Sequence, residues 1–364
     1  MNFDTVFFND RIKHIEQCVQ DTVVKRKIPG IALAAGRNEK LYFQIETGYA
    51  ENYEGHSRIM SENTLFDLAS LTKVVATLPS ILLLAEVGEI SLIDPIKKYL
   101  PEFCSEGSDD RKNITIGNFL THTSGLPKTK RYYLECSTQQ ELLNTVMHEP
   151  LVQSPGTGVI YTDLGFILLG EIIRVVSGMG LDEFSTKYIF NPLHMEETAF
   201  NPQLKLKNQI AATEVFSHSE GSRIGKVHDR NAEVLGGVSG HAGLFASLND
   251  VIKYIQMFVS LNKGILSAAS KEISVRCFTH GLTEHRGLGW NHFHTFNRQT
   301  GDFWPTTTVG HTGFTGTSIV FDPVTRVWAI VLTNAIHYGR DVENIQSFRV
   351  CIHNILASFL FEKT

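Results

Sequence analysis

Apolar residues recur at threes and fours between residues 4 and 26, at Val6, Phe7, Ile12, Ile15, Val19, Val23 and Val24. That spacing predicts an amphipathic helix, which Pro29-Gly30 ends. Residues 31–35 and 41–46 read as a hairpin turning at Arg37-Asn38-Glu39-Lys40. Residues 51–61 are polar and read as a loop. At residue 71 the pattern changes to a nearly unbroken run of Leu, Val, Ile and Ala. It continues through Ala85 to a stop at Gly88, which predicts a largely buried helix. A second such run covers 164–176 and ends at Gly178. Residues 114–120 and 137–148 predict helices, the latter with a Ser-x-x-Gln start at Ser137. Residues 96–103 form a short packed segment, 105–112 a charged loop, and 200–234 an irregular stretch. Gly236, Gly237, Gly240 and Gly243 crowd the approach to a capped helix at Ser247. Late in the chain the period becomes two. Residues 317–321 and 327–333, separated by Asp322-Pro323-Val324-Thr325, predict a second hairpin. Residues 342–361 close the chain as a helix.

The order of helix, strands, many helices, strands and helix predicts an α+β fold. An antiparallel sheet drawn from both ends of the chain, flanked by the N- and C-terminal helices, encloses a helical insertion. The expected division is a discontinuous sheet lobe, 1–62 with 286–364, and a mostly helical lobe, 63–285. Ser70 falls at the junction, where pockets commonly form. There is no internal repeat and no low-complexity segment.

Composition narrows the class. In 364 residues, 42% are apolar and 20% charged, which fits a folded enzyme and not a disordered chain. The net charge is −5 with both signs scattered, so no basic tract tracks a phosphate backbone and no nucleic-acid partner is expected. The start of the sequence has no secretory pattern, and no stretch of about 18 uncharged apolar residues is seen, so no membrane association is expected. Cys18, Cys104, Cys136, Cys277 and Cys351 are odd in number and widely spaced, which fits free thiols and a cytoplasmic protein.

The candidate chemistry begins at the head of the long apolar run. Ser70 and Lys73 stand three residues apart and share a helix face. Such a pair is a nucleophile beside a base, provided that burial depresses the lysine pKa so that it can take the hydroxyl proton. The alternative is a serine cap with a solvated lysine, but Lys73 sits inside an apolar run. Two further patterns follow in order, Tyr161-x-Asp163 and His311-Thr312-Gly313.

With these motifs the sequence resembles the serine β-lactamases and penicillin-binding proteins, in particular the class C-like branch with its esterases and peptidases. The resemblance is carried by FDLASLTKVVAT from Phe66, LTHTSGLP from Leu120, PGTGVIYTDLGFILLG from Pro155, AGLFAS from Ala242 and GHTGFTGTSIVFDP from Gly310. It implies a β-lactamase-like fold with the active site between lobes. Ser70 would form the acyl-enzyme, Lys73 would help deprotonate it, and Tyr161 would pass protons. The backbone N–H groups of Ser70 and Phe314 would form the oxyanion hole. A tyrosine needs a nearby cation to act as base at neutral pH, and Lys73 would supply it. Asp163, His311, Thr312 and Gly313 would line the substrate side.

Two positions depart from the family pattern. Asp163 stands where asparagine is usual, and an ionised carboxylate cannot donate an N–H to a substrate carbonyl; it is free to pair with Lys73. His311 stands where lysine is usual, so a fixed cation for a substrate carboxylate is missing there. Both changes favour an esterase or amidase; β-lactam hydrolysis or D-Ala-D-Ala carboxypeptidase activity is the alternative. The stretch from His228 through Asp229 to Ala232, with GGVSGHAGLF, is similar to relatives that cleave muropeptides, which places His228, Asp229 and His241 at the pocket. A structured loop is the competing reading. A protein that is acylated without turnover, acting as a sensor, is a further alternative.

Rival chemistries lack their motifs. Fifteen histidines invite a metal, and His285, His292 and His294 lie close in sequence, but no His-Glu-x-x-His and no cysteine pair is present. Gly237-Val238-Ser239-Gly240-His241 fails the nucleophile-elbow pattern at its fifth place, and no phosphate-binding loop occurs. No cofactor is expected, and the partner is a small-molecule substrate. Trp290, Trp304 and Trp328 read as core or pocket wall, with Trp304 bordering the site.

Overall fold

The structure is a computed structural model that describes residues 3–25, 27–103, 110–215, 221–260, 264–293 and 299–361. Cys104 and His294 lie outside the described residues. The strands are β1 (Gly30–Arg37), β2 (Lys40–Tyr53), β3 (His56–Ile59), β4 (Phe66–Asp67), β5 (Ala199–Phe200), β6 (Leu244–Ala246), β7 (Asn291–His292), β8 (Val309–Thr312), β9 (Ser318–Phe321) and β10 (Val327–Thr333). The α-helices are α1 (Phe3–Val24), α2 (Leu78–Glu86), α3 (Ile116–Leu120), α4 (Gln139–His148), α5 (Leu164–Ser177), α6 (Leu181–Ser185), α7 (Arg230–Val234), α8 (Leu248–Val259), α9 (Ala268–Val275) and α10 (Val342–Leu360).

Seven strands form one antiparallel sheet in the order β3-β2-β1-β10-β9-β8-β7. Pairing of β1 with β10, Ile31 opposite Thr333 through Arg37 opposite Val327, joins the two ends of the chain. Successive strand side chains point to opposite faces. In β1, Ile31, Leu33 and Ala35 pack with Ile15 and Val19 of α1 and Phe348 and Ile352 of α10, while Ala32 and Ala34 join the main core. In β10, Val327, Ala329 and Val331 face the two terminal helices, and Trp328, Ile330 and Leu332 face the other way. Both faces are therefore covered, which is why these strands read as apolar runs rather than alternating ones.

The stretch taken for a loop at 51–61 is instead a hairpin. β2 runs to Tyr53 and returns in β3, with Glu54 at φ 47° and Gly55 at φ 84° making the turn. β3 is the sheet edge and mostly exposed, so no hydrophobic alternation marked it.

The long apolar run begins as a 3-10 turn at Ala69–Leu71, passes through a π-helical turn at Lys73–Thr77 and becomes α2. Contrary to the expectation from uncharged windows, Ala69–Glu86 is long and apolar enough to cross a membrane; 78% of it is buried within the structure. The cap of α4 falls one residue later than expected. Thr138 accepts from the Glu141 N–H, and Glu141 returns a bond to the Thr138 N–H, a reciprocal cap. α5 ends at Gly178, whose φ of 71° suits a residue without a Cβ. The irregular stretch holds β5's last residue, a 3-10 turn and α7.

Candidate active site

β4 ends at Asp67, whose buried carboxylate accepts the Ala69 N–H at 2.8 Å and the His228 N–H at 2.7 Å. Those bonds hold Ala69 at φ 48°, a left-handed conformation that costs a non-glycine residue about 1–3 kcal/mol. The bend delivers Ser70 to the head of the buried helix. Two threonines clamp the same turn from the sheet: Thr315 donates to the Asp67 carbonyl at 2.8 Å, and Thr317 to the Leu68 carbonyl at 3.1 Å. Gly313 makes this approach possible. A Cβ there would stand 2.1 Å from Thr317 Oγ1 and 2.6 Å from the Leu68 oxygen.

Lys73 is fully buried and is the centre of the cluster. Its Nζ donates to Ser70 Oγ at 3.0 Å, Tyr161 OH at 2.9 Å and Asp163 Oδ1 at 2.7 Å. The His241 carbonyl lies farther off at 3.4 Å. The π-helical turn starts at this lysine, as such turns often do at functional sites. Burial works to push the ammonium pKa down, but the Asp163 carboxylate and Tyr161 outweigh it, and the net shift is upward. The expectation of a lysine depressed by burial is thereby corrected: its partner lies 90 residues away in sequence. Burial likewise works against the Asp163 carboxylate, yet the Lys73 charge holds its pKa well below the usual range. Asp163 leads into α5 without capping it; its side chain is committed to the ammonium.

Tyr161 is fixed from two sides. The His122 ring lies 4.7 Å from its centroid, and the Arg286 guanidinium sits 5.4 Å over its ring. His311 is on β8, 4% exposed, and its Nδ1 meets the Thr312 carbonyl at 2.9 Å. A carbonyl only accepts, so the proton is on Nδ1 and Nε2 is left as an acceptor. Nε2 is buried with no partner among the described residues. Burial first, then the charges of Lys73 and Arg286, holds the ring well below its usual pKa, so it is neutral at pH 7.

A family model described as Beta-lactamase matches residues 15–348. The chain belongs to the beta-lactamase family. It is a serine hydrolase of that family. A protein of Salmonella agona (strain SL483) named "Putative D-alanyl-D-alanine carboxypeptidase" is 31% identical over 91% of this chain and 84% of its own length. A protein of the same name from Escherichia coli (strain K12) is 33% identical over 85% and 79%. The fold is shared with "A class C beta-lactamase" (TM-score 0.75, 21% identity, 97% of this chain and 98% of the other). It is also shared with "EstCE1, a hydrolase with promiscuous acyltransferase activity" (TM-score 0.76, 20% identity, 95% and 100%).

In this beta-lactamase-family chain a cavity of about 330 Å³ opens at Ser70. Tyr161, His311, Thr312, Gly313 and Phe314 line it with Ser70, bringing these sequence-derived candidates to one place. Other candidates stand behind the wall. The His241 side chain, 1% exposed, bonds Ser239 Oγ at 2.8 Å and Asp229 Oδ1 at 3.1 Å, and only its carbonyl reaches toward Lys73. His228 pairs with Glu214 at 2.8 Å and stacks on the Phe314 ring at 5.5 Å, so it supports a lining residue. Trp304 packs with His353 and Phe361 in the core beside α10, its N–H donating to the His353 carbonyl at 3.1 Å, and does not line the cavity. Among the described residues no three His, Cys, Asp or Glu side chains gather as a metal site.

Three arginines of this cavity were not found from sequence: Arg286, Arg340 and Arg349. They correct the inference that a cation is missing because His311 replaces lysine. Arg340 is held by Glu214, and Arg286 by Glu284. Arg349 donates to the Thr317 carbonyl at 2.8 Å and the Gly313 carbonyl at 3.3 Å, and burial pushes its pKa down to about 10, still charged at pH 7. The Nε atoms of Arg286 and Arg349 are buried without a partner among the described residues. Arg349 had a readable signal. It shares the buried face of α10 with Ile345, Phe348 and Ile352, where an arginine is out of pattern.

Proposed function

We propose that the chain hydrolyses an ester or amide through an acyl-enzyme on Ser70, and that its substrate carries a carboxylate near the scissile bond. The observation that carries the reading is the Lys73 ammonium bonded at once to Ser70 Oγ, Tyr161 OH and Asp163 Oδ1. With Lys73 pinned as a cation by Asp163, the base is Tyr161. Lys73 Nζ donates to the Tyr161 oxygen at 2.9 Å and to Ser70 Oγ at 3.0 Å, so the ammonium holds the two hydroxyls side by side. Ser70 Oγ attacks the carbonyl carbon, its proton passes to the Tyr161 oxygen, and the tetrahedral oxyanion is received by the N–H groups of Ser70 and Phe314. Tyr161 then returns the proton to the leaving group. Water repeats the sequence to release the acid and regenerate Ser70. The neutral His311 offers Nε2 as an acceptor on the same wall.

The carboxylate requirement rests on three guanidinium groups lining about 330 Å³, of which Arg349 has no carboxylate partner among its bonds. Such forks bind carboxylates in bidentate fashion. Muropeptide amides meet this description. So does a peptide ending in D-Ala-D-Ala, and that second reading is favoured by the names of the two relatives together with the arginines. Hydrolysis should be followed on matched esters with and without a carboxylate, on a muropeptide, and as D-alanine release from a D-Ala-D-Ala peptide. Preference for the charged ester supports the subsite. Equal kcat/KM on the two esters counts against it.

A further inference from the structure

The two terminal helices meet at a pair of thiols. Cys18 of α1 and Cys351 of α10, 333 residues apart, have their sulfurs 3.3 Å from each other. Among the described residues this is the one pair of cysteines in contact. Cys136 is buried against Thr145, and all four described cysteines are free. Cys18 is half-buried beside Ile15 and Val19, which lie in the core, whereas Cys351 is exposed. Cys351 also lines a surface cavity of about 530 Å³ with Glu343, Gln346, Ser347 and Val350. A small reagent can therefore reach one sulfur while the other waits behind it.

We propose that Cys18 and Cys351 are a dithiol site that reacts with a low-molecular-mass disulfide of the glutathione type to form an internal disulfide tying α1 to α10.

The roles of the two sulfurs follow from their surroundings. The contact with the Cys18 sulfur, with help from Lys27, pulls the Cys351 thiol down against the opposing effect of burial. The same contact, with burial, pushes the Cys18 thiol up. Cys351 is the exposed sulfur, lining the cavity through which a reagent arrives, so its thiolate is the attacking group and the half-buried Cys18 resolves. Cys351 bonds to one sulfur of oxidised glutathione, the glutathione S–S bond breaks, and the first glutathione leaves as a thiolate that takes up a proton. Cys18 then loses its proton and attacks the Cys351 sulfur of the mixed disulfide, expelling the second glutathione. Two protein thiols are oxidised and one glutathione disulfide is reduced to two thiols, so electrons and protons balance. The tether falls two residues beyond Arg349. Gln346, on the same helix, lines both this cavity and the one at Ser70.

The test is intact-mass and peptide analysis of the full chain after incubation with oxidised glutathione, followed by alkylation of remaining thiols. The expected product has lost about 2 Da, carries no glutathione, and yields one cross-linked peptide containing Cys18 and Cys351. Cys18→Ser should trap a single glutathione on Cys351, because the resolving thiol is gone. Cys351→Ser should leave Cys18 unmodified. The proposal is overturned if the wild-type chain keeps all five alkylatable cysteines, if it stops at a glutathione adduct, or if the cross-link joins other cysteines.

Discussion

Replacing Asp163 by asparagine removes one charge from the centre of the site and little else. Asp163 Oδ1 lies 2.7 Å from Lys73 Nζ, and the lysine is 0% exposed. At an effective dielectric of about 20, opposite charges at that distance attract by roughly 6 kcal/mol. An amide oxygen keeps a hydrogen bond to Nζ, so part of this survives. The ammonium nevertheless remains buried without its counter-charge, and breaking a buried pair from one side costs about 3–5 kcal/mol. Asp163→Asn should therefore lose about 3 kcal/mol at pH 7 in urea unfolding. The pH dependence has a defined sign. The Asp163 pKa is lowered in the folded state, so its contribution is present above the unfolded carboxylate value of about 3.9 and fades as pH falls through the folded value. The Lys73 pKa is raised, so its contribution is complete below about 10.4 and fades as pH rises past that. The difference between wild type and variant should be flat between about pH 5 and 9 and shrink in acid. Removing the carboxylate also lets Lys73 lose its proton at lower pH, so the alkaline limb of the kcat/KM profile should move down. A stability loss under about 1 kcal/mol together with an unmoved alkaline limb would refute the pairing as the source of the lysine's charge.

Tyr161→Phe keeps the ring between His122 and Arg286 but deletes the proton carrier; kcat should fall by about 10²–10⁴ with ester as substrate, measured in steady state with folding checked by circular dichroism. Arg286→Gln should raise KM about tenfold for a carboxylate-bearing ester relative to a matched neutral ester, the scale of one hydrogen bond to a charged group; because Arg286 also packs over the Tyr161 ring, kcat should fall on both esters. Gly313→Ala drives a Cβ against Thr317 Oγ1 and the Leu68 oxygen; it should cost about 1–3 kcal/mol in thermal or urea unfolding and lower kcat, because the same strand supports the Ser70 turn.

Much of the sheet was legible because its central strands are buried on both faces. Residues 31–35 announce themselves by an apolar run and 327–333 by one rich in β-branched residues, and their pairing with each other follows once the hairpins are seen. β3 was not legible: at an exposed edge its side chains carry no pattern, and its turn at Glu54-Gly55 lies within a uniformly polar stretch. The site was legible where chemistry is local. Ser70 and Lys73 sit one turn apart, and His311 to Phe314 form one short stretch. It was not legible where charge partners are distant. The sign of the Lys73 shift depends on Asp163, and Arg286 and Arg349 reach the cavity from a loop before β7 and from α10. Their contribution is set by tertiary placement. The His241 side chain shows the converse: a histidine in a suggestive glycine-rich stretch is consumed by Ser239 and Asp229.

The central claim is a covalent intermediate on Ser70 that turns over. Intact-mass spectrometry of the full chain with a small activated ester, with Ser70→Ala beside it and product release followed in parallel, tests it most directly. The account predicts an acyl mass gain in the wild type, none in Ser70→Ala, and steady release after the first turnover. No adduct and no Ser70-dependent release would contradict the assignment of Ser70 as nucleophile, and an adduct that persists after one burst would contradict turnover.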